Sequence, residues 1–379
     1  MTKKRIHIIS FDLPYPPDYG GATDIYHKIR SFHELGIEII LHVFLYKGKI
    51  PSPELEALTY KTHYYYRRSW VNPFWGRNPY VVSTRNSQVL LRNLLMDNNP
   101  ILFEGLHSTS HLNRPELRNR NMVVRAHNIE HNYYKSLGDA ERLWIKRAFY
   151  YLEAKRLKHY ETVLEKASAI AGISPMETKY FHQTYGKASY IPAFHSNVDV
   201  VSLAGTGDYI LYHGNLSIPE NDRAALYLVE KVFPLLKEPC IIAGNNPSNA
   251  LQKSISKYPH ISLKANLTAE NIFELMRNAQ VNAIITFQST GIKLKLLNSL
   301  YRGRHVVANS EMVKETQLES LCTIADNPID LANKIRHCYS LAFNQEDINN
   351  RKKTLLHTFN NKENALALIA LLQATSPSN

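Results

Sequence analysis

The sequence predicts an α/β chain of two Rossmann-like domains, each a doubly wound parallel sheet. A length of 379 residues exceeds what one hydrophobic core usually supports, which predicts two domains. Short apolar, β-rich runs alternate with helical patterns, and near-continuous apolar runs suit strands buried on both faces of a parallel sheet. The alternation occurs twice, so a doubly wound sheet is expected in each half.

In the first half the strand candidates are Arg5–Ser10, Glu38–Val43, Ile101–Glu104, Val123–Ala126 and Ala169–Ser174. In the second they are Tyr209–His213, Cys240–Ala243, His260–Leu263, Ala283–Thr286, His305–Ala308 and Thr323–Ala325. A helix is expected over Ala22–Leu35. Pro219 and Glu220 precede the amphipathic run Ala224–Leu236, and Thr268 stands as a cap before Glu270–Ala279. The stretch Asn197–Asp208 is polar, carries Gly205 and Gly207 and lacks helical periodicity, which marks it as the linker. The expected domains are therefore 1–200 and 201–358. A terminal helix within 359–379 is expected to cross back to the first domain.

With 44% hydrophobic and 21% charged residues, the composition is that of a globular protein. The apolar run Ile6–Phe11 is too short for the core of a secretory signal and contains His7. No stretch of about 18 apolar residues occurs, so no membrane span is expected. Three cysteines, Cys240, Cys322 and Cys338, lack metal-like spacing and suit a reducing cytoplasm. The net charge of +12 is carried mostly by residues 1–200. A basic half attracts anions: phosphorylated substrates, a negative membrane face or nucleic acid. No RNA- or DNA-binding motif is visible, so nucleic acid is not expected as a partner. Without a GxGxxG fingerprint, a dehydrogenase is not expected either.

Four segments could carry chemistry. Pro16-Pro17-Asp18-Tyr19-Gly20-Gly21 follows the first strand and leads into the first helix. Two glycines let backbone N–H groups approach an anion, and the helix terminus adds a favourable dipole; a plain tight turn would use the same residues. Arg125-Ala126-His127-Asn128-Ile129-Glu130 clusters polar groups at the carboxyl end of a strand, where open α/β sheets bind ligands. There His127 could bond a sugar hydroxyl or carry a proton, and Glu130 could hold a substrate hydroxyl. Thr290-Gly291-Ile292-Lys293-Leu294-Lys295 opens a helix that ends at Gly303. Its amino end with Lys293 and Lys295 makes a diphosphate site, with Asn298 about a turn away; solvated lysines on an amphipathic helix are the alternative. Finally, Tyr212-His213-Gly214-Asn215 ends the second domain's first strand, where Gly214 permits close approach and Asn215 is a neutral hydrogen bonder.

Together and in order, these segments resemble the GT-B glycosyltransferases of the retaining family-4 type. The likeness runs through "RAHNIEHNYY", "YHGNLSIPENDRAALYLVEKVFP", "IIAGNNPS" and "GIKLKLLNSLYRGRHVV". It implies two domains facing a cleft and retaining, metal-independent transfer of a hexosyl group from a nucleoside-diphosphate sugar. The acceptor would be a glycan or lipid-linked molecule in surface polysaccharide assembly. By position, His127 would contact the donor sugar and Lys295 would act as the cation on the phosphates. Gly20, Gly21, Gly214, Asn215, Thr290, Gly291, Ile292, Lys293, Leu294 and Asn298 would complete the donor site. Arg125, Asn128 and Glu130 would serve the acceptor. Neither a cofactor nor a metal ligand is expected.

Thr290 and Asn298 stand where the family commonly has two glutamates, so the group facing the ribose is an amide without charge. A degenerate, non-catalytic sugar-nucleotide-binding partner of another transferase is the alternative function. One further segment, Lys61–Tyr80, interleaves aromatics and cations with no acid between them. It is expected to rest on an anionic membrane surface, with Trp70, Phe74 and Trp75 at the interface, which would make the protein peripheral at the cytoplasmic face. Packing of those aromatics against the domain, or stacking on an acceptor sugar, would use the same residues.

Overall fold

The computed structural model describes residues 4–68, 70–141, 143–287 and 293–374. They form two units. The first is built from residues 4–196 with 359–374, the second from 197–287 with 293–358.

The first unit is a seven-stranded parallel sheet. Its strands are β1 (Arg5–Ser10), β2 (Glu38–Leu45), β3 (Lys61–Tyr66), β4 (Ile101–Glu104), β5 (Met122–Ala126), β6 (Ala169–Gly172) and β7 (Ala188–Tyr190), in the order β3-β2-β1-β4-β5-β6-β7. Central strands are buried on both faces: β1 places Ile6 and Ile8 in one core and Ile9 in the other. β6 stops at Gly172 rather than Ser174. Ser174 instead caps the helix Pro175–Tyr185, its hydroxyl accepting from the Glu177 amide at 3.2 Å and donating to the Glu177 carboxylate at 2.7 Å. The edge strands β3 and β7 lie outside the strand pattern expected from sequence. KTHYYY lacks an apolar run because an edge strand needs only one covered face.

The helix Gly20–Glu34 buries Ala22, Ile25, Ile29 and Phe32. It begins two residues earlier than expected, so Gly20 and Gly21 form its first turn and are not a loop. The terminal helix Asn361–Gln373 is capped by Asn360 and adds Ala365, Leu368, Ile369 and Leu372 to the same core.

The second unit is a six-stranded parallel sheet of β8 (Ile210–His213), β9 (Cys240–Gly244), β10 (Ile261–Ala265), β11 (Val281–Ile284), β12 (His305–Ala308) and β13 (Thr323–Ile324). The order is β10-β9-β8-β11-β12-β13. Glycine is obligatory at Gly244, where an added Cβ would lie only 1.9 Å from the Gly214 carbonyl oxygen. That close approach locks the ends of β8 and β9 together. Each unit thus has a doubly wound order with one reversal point, between β1 and β4 in the first and between β8 and β11 in the second.

Candidate functional site

In the first unit the functional residues gather at the carboxyl ends of β1, β4 and β5. Five buried charged or polar side chains form one network. Arg125 donates to Asp24 at 2.9 Å and to the Pro192 carbonyl at 2.9 Å. Lys28 Nζ donates to Asp24 at 2.8 Å and to both Glu104 oxygens at 2.7 and 2.8 Å. His127 Nε2 donates to Glu104 Oε2 at 3.0 Å. Burial alone would raise both carboxyls, but Arg125 and Lys28 hold Asp24 well below the usual range, and Lys28 and His127 lower Glu104. Asp24, Glu104 and His127 lie close enough to share a metal ion. The Lys28 ammonium already provides their positive charge.

This network fixes the roles its members can take. Arg125, assigned to the acceptor from sequence, is fully buried, with its donors on Asp24, Ile191 and Pro192. It has no surface for a ligand and acts as a structural clamp. His127 is oriented by Glu104, and its Nδ1 is left without a protein partner among the described residues.

Beside the network lies a cluster of polar side chains whose buried atoms are poorly satisfied. His107 Nδ1, Asn128 Oδ1 and both Glu130 oxygens are buried and lack a well-formed hydrogen bond among the described residues. Burial, reinforced by Glu177, pushes the Glu130 carboxyl up to about 8, and the nearby Asn128 side chain only tempers this. His107 Nε2 stands 3.7 Å from Glu130, and burial with the nearby Arg85 keeps this imidazole neutral. Phe11 meets both His107 and His127 with its ring, at centroid distances of 5.4 and 5.5 Å. Gly21 stays small because an added Cβ would press on Phe11 and Tyr19. The cluster therefore combines neutral donors and acceptors with an aromatic face. Such a surface suits sugar hydroxyls.

In the second unit the site forms around Lys295, at the reversal point of the sheet. The helix Leu294–Arg302 starts after Lys293, which supplies no side-chain cap. Lys295 in its first turn sends Nζ to Asn221 Oδ1 at 3.0 Å and to the Ile285 carbonyl beyond β11 at 3.1 Å. The ammonium also lies 5.5 Å from the centre of the buried Tyr212 ring. Burial lowers the lysine to about 8; Glu220 opposes the shift and Lys293 adds to it. A cation so poorly solvated, at a helix amino end, gains strongly from an arriving anion.

His213 at the end of β8 contacts the Ser299 hydroxyl at 2.9 Å, and burial with the nearby Lys295 lowers it to about 3. It is a neutral support for the helix. Gly214 lies against Asn221. The exposed Asn215 folds its side chain back to accept from Ser217. Asn298, assigned to a ribose, accepts from Asn197 at 2.7 Å. Thr290, Gly291 and Ile292 lie outside the described residues.

Sequence reasoning missed Asp24, Lys28, Glu104 and His107. The signal for the first two was present: Asp24 and Lys28 are one turn apart and each precedes a core isoleucine, so the helix must bury them together.

Residues 207–340 match the family model described as "Glycosyl transferases group 1". A Klebsiella pneumoniae protein described as "Uncharacterized 44.6 kDa protein in cps region" is 27% identical over 328 residues, covering 81% of this chain and 83% of that protein. Among solved structures, sucrose-phosphate synthase from Thermosynechococcus elongatus aligns with a TM-score of 0.70 at 14% identity, over 97% of this chain and 98% of that one. A Rickettsia africae glycosyltransferase aligns with a TM-score of 0.69 at 14% identity over 100% of both chains. A mutant of S. aureus TarM in complex with fondaparinux, alpha-GlcNAc-glycerol and UDP aligns with a TM-score of 0.65 at 11% identity, over 98% of this chain and 100% of that one. At these identities the structures speak for the fold, and the family model speaks for the second unit. The chain is a two-unit α/β protein with the GT-B fold, and residues 207–340 of its second unit match the group 1 glycosyl transferase model.

Proposed function

We propose that this protein transfers a hexosyl group from a nucleoside-diphosphate sugar to a glycan or lipid-linked acceptor, with retention, as a step in surface polysaccharide assembly. The observation that carries the reading is Lys295: a half-buried ammonium at a helix amino end, at the sheet's reversal point, inside the segment that matches the glycosyl transferase model. On this reading the donor diphosphate sits on the first turn of the Leu294–Arg302 helix, against Lys293, Leu294 and Lys295. Electrostatic stabilisation of the departing phosphate is the main catalytic term, and no metal is used. Asn298 gives up Asn197 to meet the ribose, and Gly214 and Asn215 border the donor. Thr290, Gly291 and Ile292 complete the donor site. Gly20 and Gly21 approach the diphosphate through backbone N–H groups.

His127, held by Glu104, contacts the donor sugar, and Asn128 with Glu130 holds the acceptor's hydroxyls. The cps-region relative supports the polysaccharide setting, and the TarM complex with UDP supports a nucleotide-linked donor. The protein works on the cytoplasmic side, resting on the membrane through Lys61–Tyr80.

The test is a thermal-shift panel of UDP-, GDP-, ADP- and dTDP-sugars, followed by transfer and hydrolysis assays with the stabilising donor. Lys295→Ala should lose donor stabilisation and turnover. Unchanged turnover in that variant removes the lysine from the mechanism. Tight donor binding without turnover in the wild type would instead identify a non-catalytic sugar-nucleotide-binding partner.

A further inference from the structure

The chain has three tryptophans, Trp70, Trp75 and Trp144, and none is in a core. Their exposures are 77%, 82% and 77%. Large aromatics left this open to water usually mark a contact surface. Packing shows that they share a region of the first unit. The Phe74 ring meets Phe149 at 6.2 Å, and Arg156 donates to the Pro73 carbonyl at 2.7 Å, so residues 70–80 lie along the helix Trp144–Tyr160. Ile145 is one helical turn before Phe149, on the same stripe. Exposed Leu143, Trp144 and Ile145 therefore continue the aromatic surface formed by Trp70, Phe74 and Trp75.

The charges around this surface are mostly positive, with Asp139 and Glu141 before Leu143 as the nearby acids. Lys61–Tyr80 contains no acid and carries Arg67, Arg68 and Arg77. The helix Trp144–Tyr160 carries Lys146, Arg147, Lys155, Arg156 and Lys158. Its single acid, Glu153, is buried and accepts from the Tyr80 and Val81 amides at 2.9 Å. Arg68 lies 5.7 Å from the centre of the Trp70 ring, so an aromatic and a cation are already presented side by side.

We infer that these two segments form one platform that docks the first unit on an anionic lipid bilayer. The tryptophans enter the headgroup region and Arg77, Lys146 and the neighbouring cations meet lipid phosphates. A protein partner would need a rim of balanced polarity to set register, whereas a large excess of positive charge around exposed aromatics matches a fluid anionic surface. The sequence alone pointed only to Lys61–Tyr80; the fold adds the second segment. Ring contacts lead inward from it: Phe74 to Phe149, Phe149 to Tyr150, Tyr150 to Tyr134 and Tyr134 to His107 in the polar cluster. A lipid-linked acceptor would thus find its hydroxyl site beside the docking surface. That consequence rests on the proposed transfer activity; the docking does not.

Because every tryptophan belongs to the platform, intrinsic fluorescence of the full chain reports on it directly. Titration with phosphatidylcholine vesicles containing about a third phosphatidylglycerol should shift the emission to the blue, and plain phosphatidylcholine should not. Bromine-labelled acyl chains should quench the bound signal. Arg77→Glu with Lys146→Glu keeps all three tryptophans and changes only exposed positions. It should weaken vesicle partitioning by at least about tenfold, as should roughly 0.5 M salt, with an unchanged melting temperature. No blue shift with anionic vesicles overturns the inference. So does equal binding by the charge-reversed variant, or a blue shift that depends on protein concentration without lipid, which would mean that a second copy covers the face. Sugar-nucleotide binding is untouched by any of these outcomes, so docking and sugar transfer fail separately.

Discussion

Glu130 is the residue whose chemistry departs furthest from its sequence, and its substitution by glutamine gives a sharp test. In the folded protein the carboxyl holds its proton to about pH 8, because burial and Glu177 both oppose the charge. In the unfolded chain a glutamate releases it near about 4.3. Below both values the residue is protonated in either state, and its contribution to stability is fully present. Between them only the unfolded chain ionises, so stability falls as pH rises, and the loss is complete once the folded carboxyl ionises. At about 1.4 kcal/mol per pH unit the full loss approaches about 5 kcal/mol, and relaxation of the cluster reduces it to roughly 2–5 kcal/mol. Glu130→Gln keeps the shape and removes the ionisation. Its melting temperature should match the wild type at about pH 5 and exceed it by roughly 5–10 °C at about pH 8.5. Thermal melts of both proteins over that range measure this. A difference that does not change with pH would refute the reasoning, since it would mean that Glu130 ionises equally easily in both states. Under the proposed function, Glu130→Gln should also keep most acceptor affinity, because the amide can donate as the protonated acid does.

Lys28→Ala leaves two buried carboxylates, Asp24 and Glu104, short of their shared cation; it should cost about 3–5 kcal/mol in denaturant unfolding of the first unit. Gly244→Ala forces a Cβ against the Gly214 carbonyl, and a calorimetric loss of about 1–3 kcal/mol is expected from the displaced strand end. Donor affinity should fall as pH rises through about 8, where Lys295 loses its proton, by up to about tenfold per unit. Lys295→Arg should flatten that dependence in isothermal titration. His42 is buried, its Nδ1 taken by the Tyr65 hydroxyl at 2.8 Å and its Nε2 by His7 at 2.9 Å. Burial, with His7 and His63 nearby, lowers its pKa, so the stability it gives above about 6.5 is lost as pH falls. His42→Gln should shift the acid limb of the unfolding profile to lower pH.

Much of the fold was legible because parallel strands buried on both faces must be apolar. RIHIIS, ILFE and CIIAG announce themselves for that reason. KTHYYY does not, since its place at the sheet edge imposes a weaker demand, and the three-residue ASY is too short for any pattern. The positions of the candidate site followed from strand ends, but the partners did not. Arg125 and His127 are two residues apart, on the same side of a strand end, and both reach the same Asp24–Glu104 network. That convergence depends on the helix Gly20–Glu34 crossing the sheet ends, a tertiary fact no local pattern encodes. The sequence marks Glu130 as a candidate for a substrate hydroxyl, but nothing in it shows the burial. Its raised pKa arises only because the fold buries it beside Glu177.

The two sheets reverse at equivalent points and yet present opposite chemistry there. In the first unit the charges are matched internally: Asp24 and Glu104 against Lys28 and Arg125. What remains for a ligand is neutral: a protonated Glu130, an uncharged His107, the Asn128 amide and the Phe11 ring. A diphosphate placed against that cluster would be desolvated by neutral groups whose neighbouring cations, Lys28 and Arg125, are already paired, a heavy cost. In the second unit the balance is reversed. Lys295 is hydrogen-bonded to an amide and a carbonyl rather than a carboxylate, Lys293 adds a like charge, and the nearby Glu220 carboxylate is engaged by the Thr286 hydroxyl and the Phe287 amide. An anion is what that end lacks. The proposed placement of the donor diphosphate on the second unit and of acceptor hydroxyls on the first is supported by this difference in charge balance. Exchanging the preference would require undoing both networks: a lysine freed from Asp24 and Glu104 in one unit, and a carboxylate placed on Lys295 in the other. Asn221→Asp is the simplest such change. It should hold Lys295 protonated well above pH 8 while weakening donor binding, whereas a purely structural role for the lysine would leave donor binding unmoved.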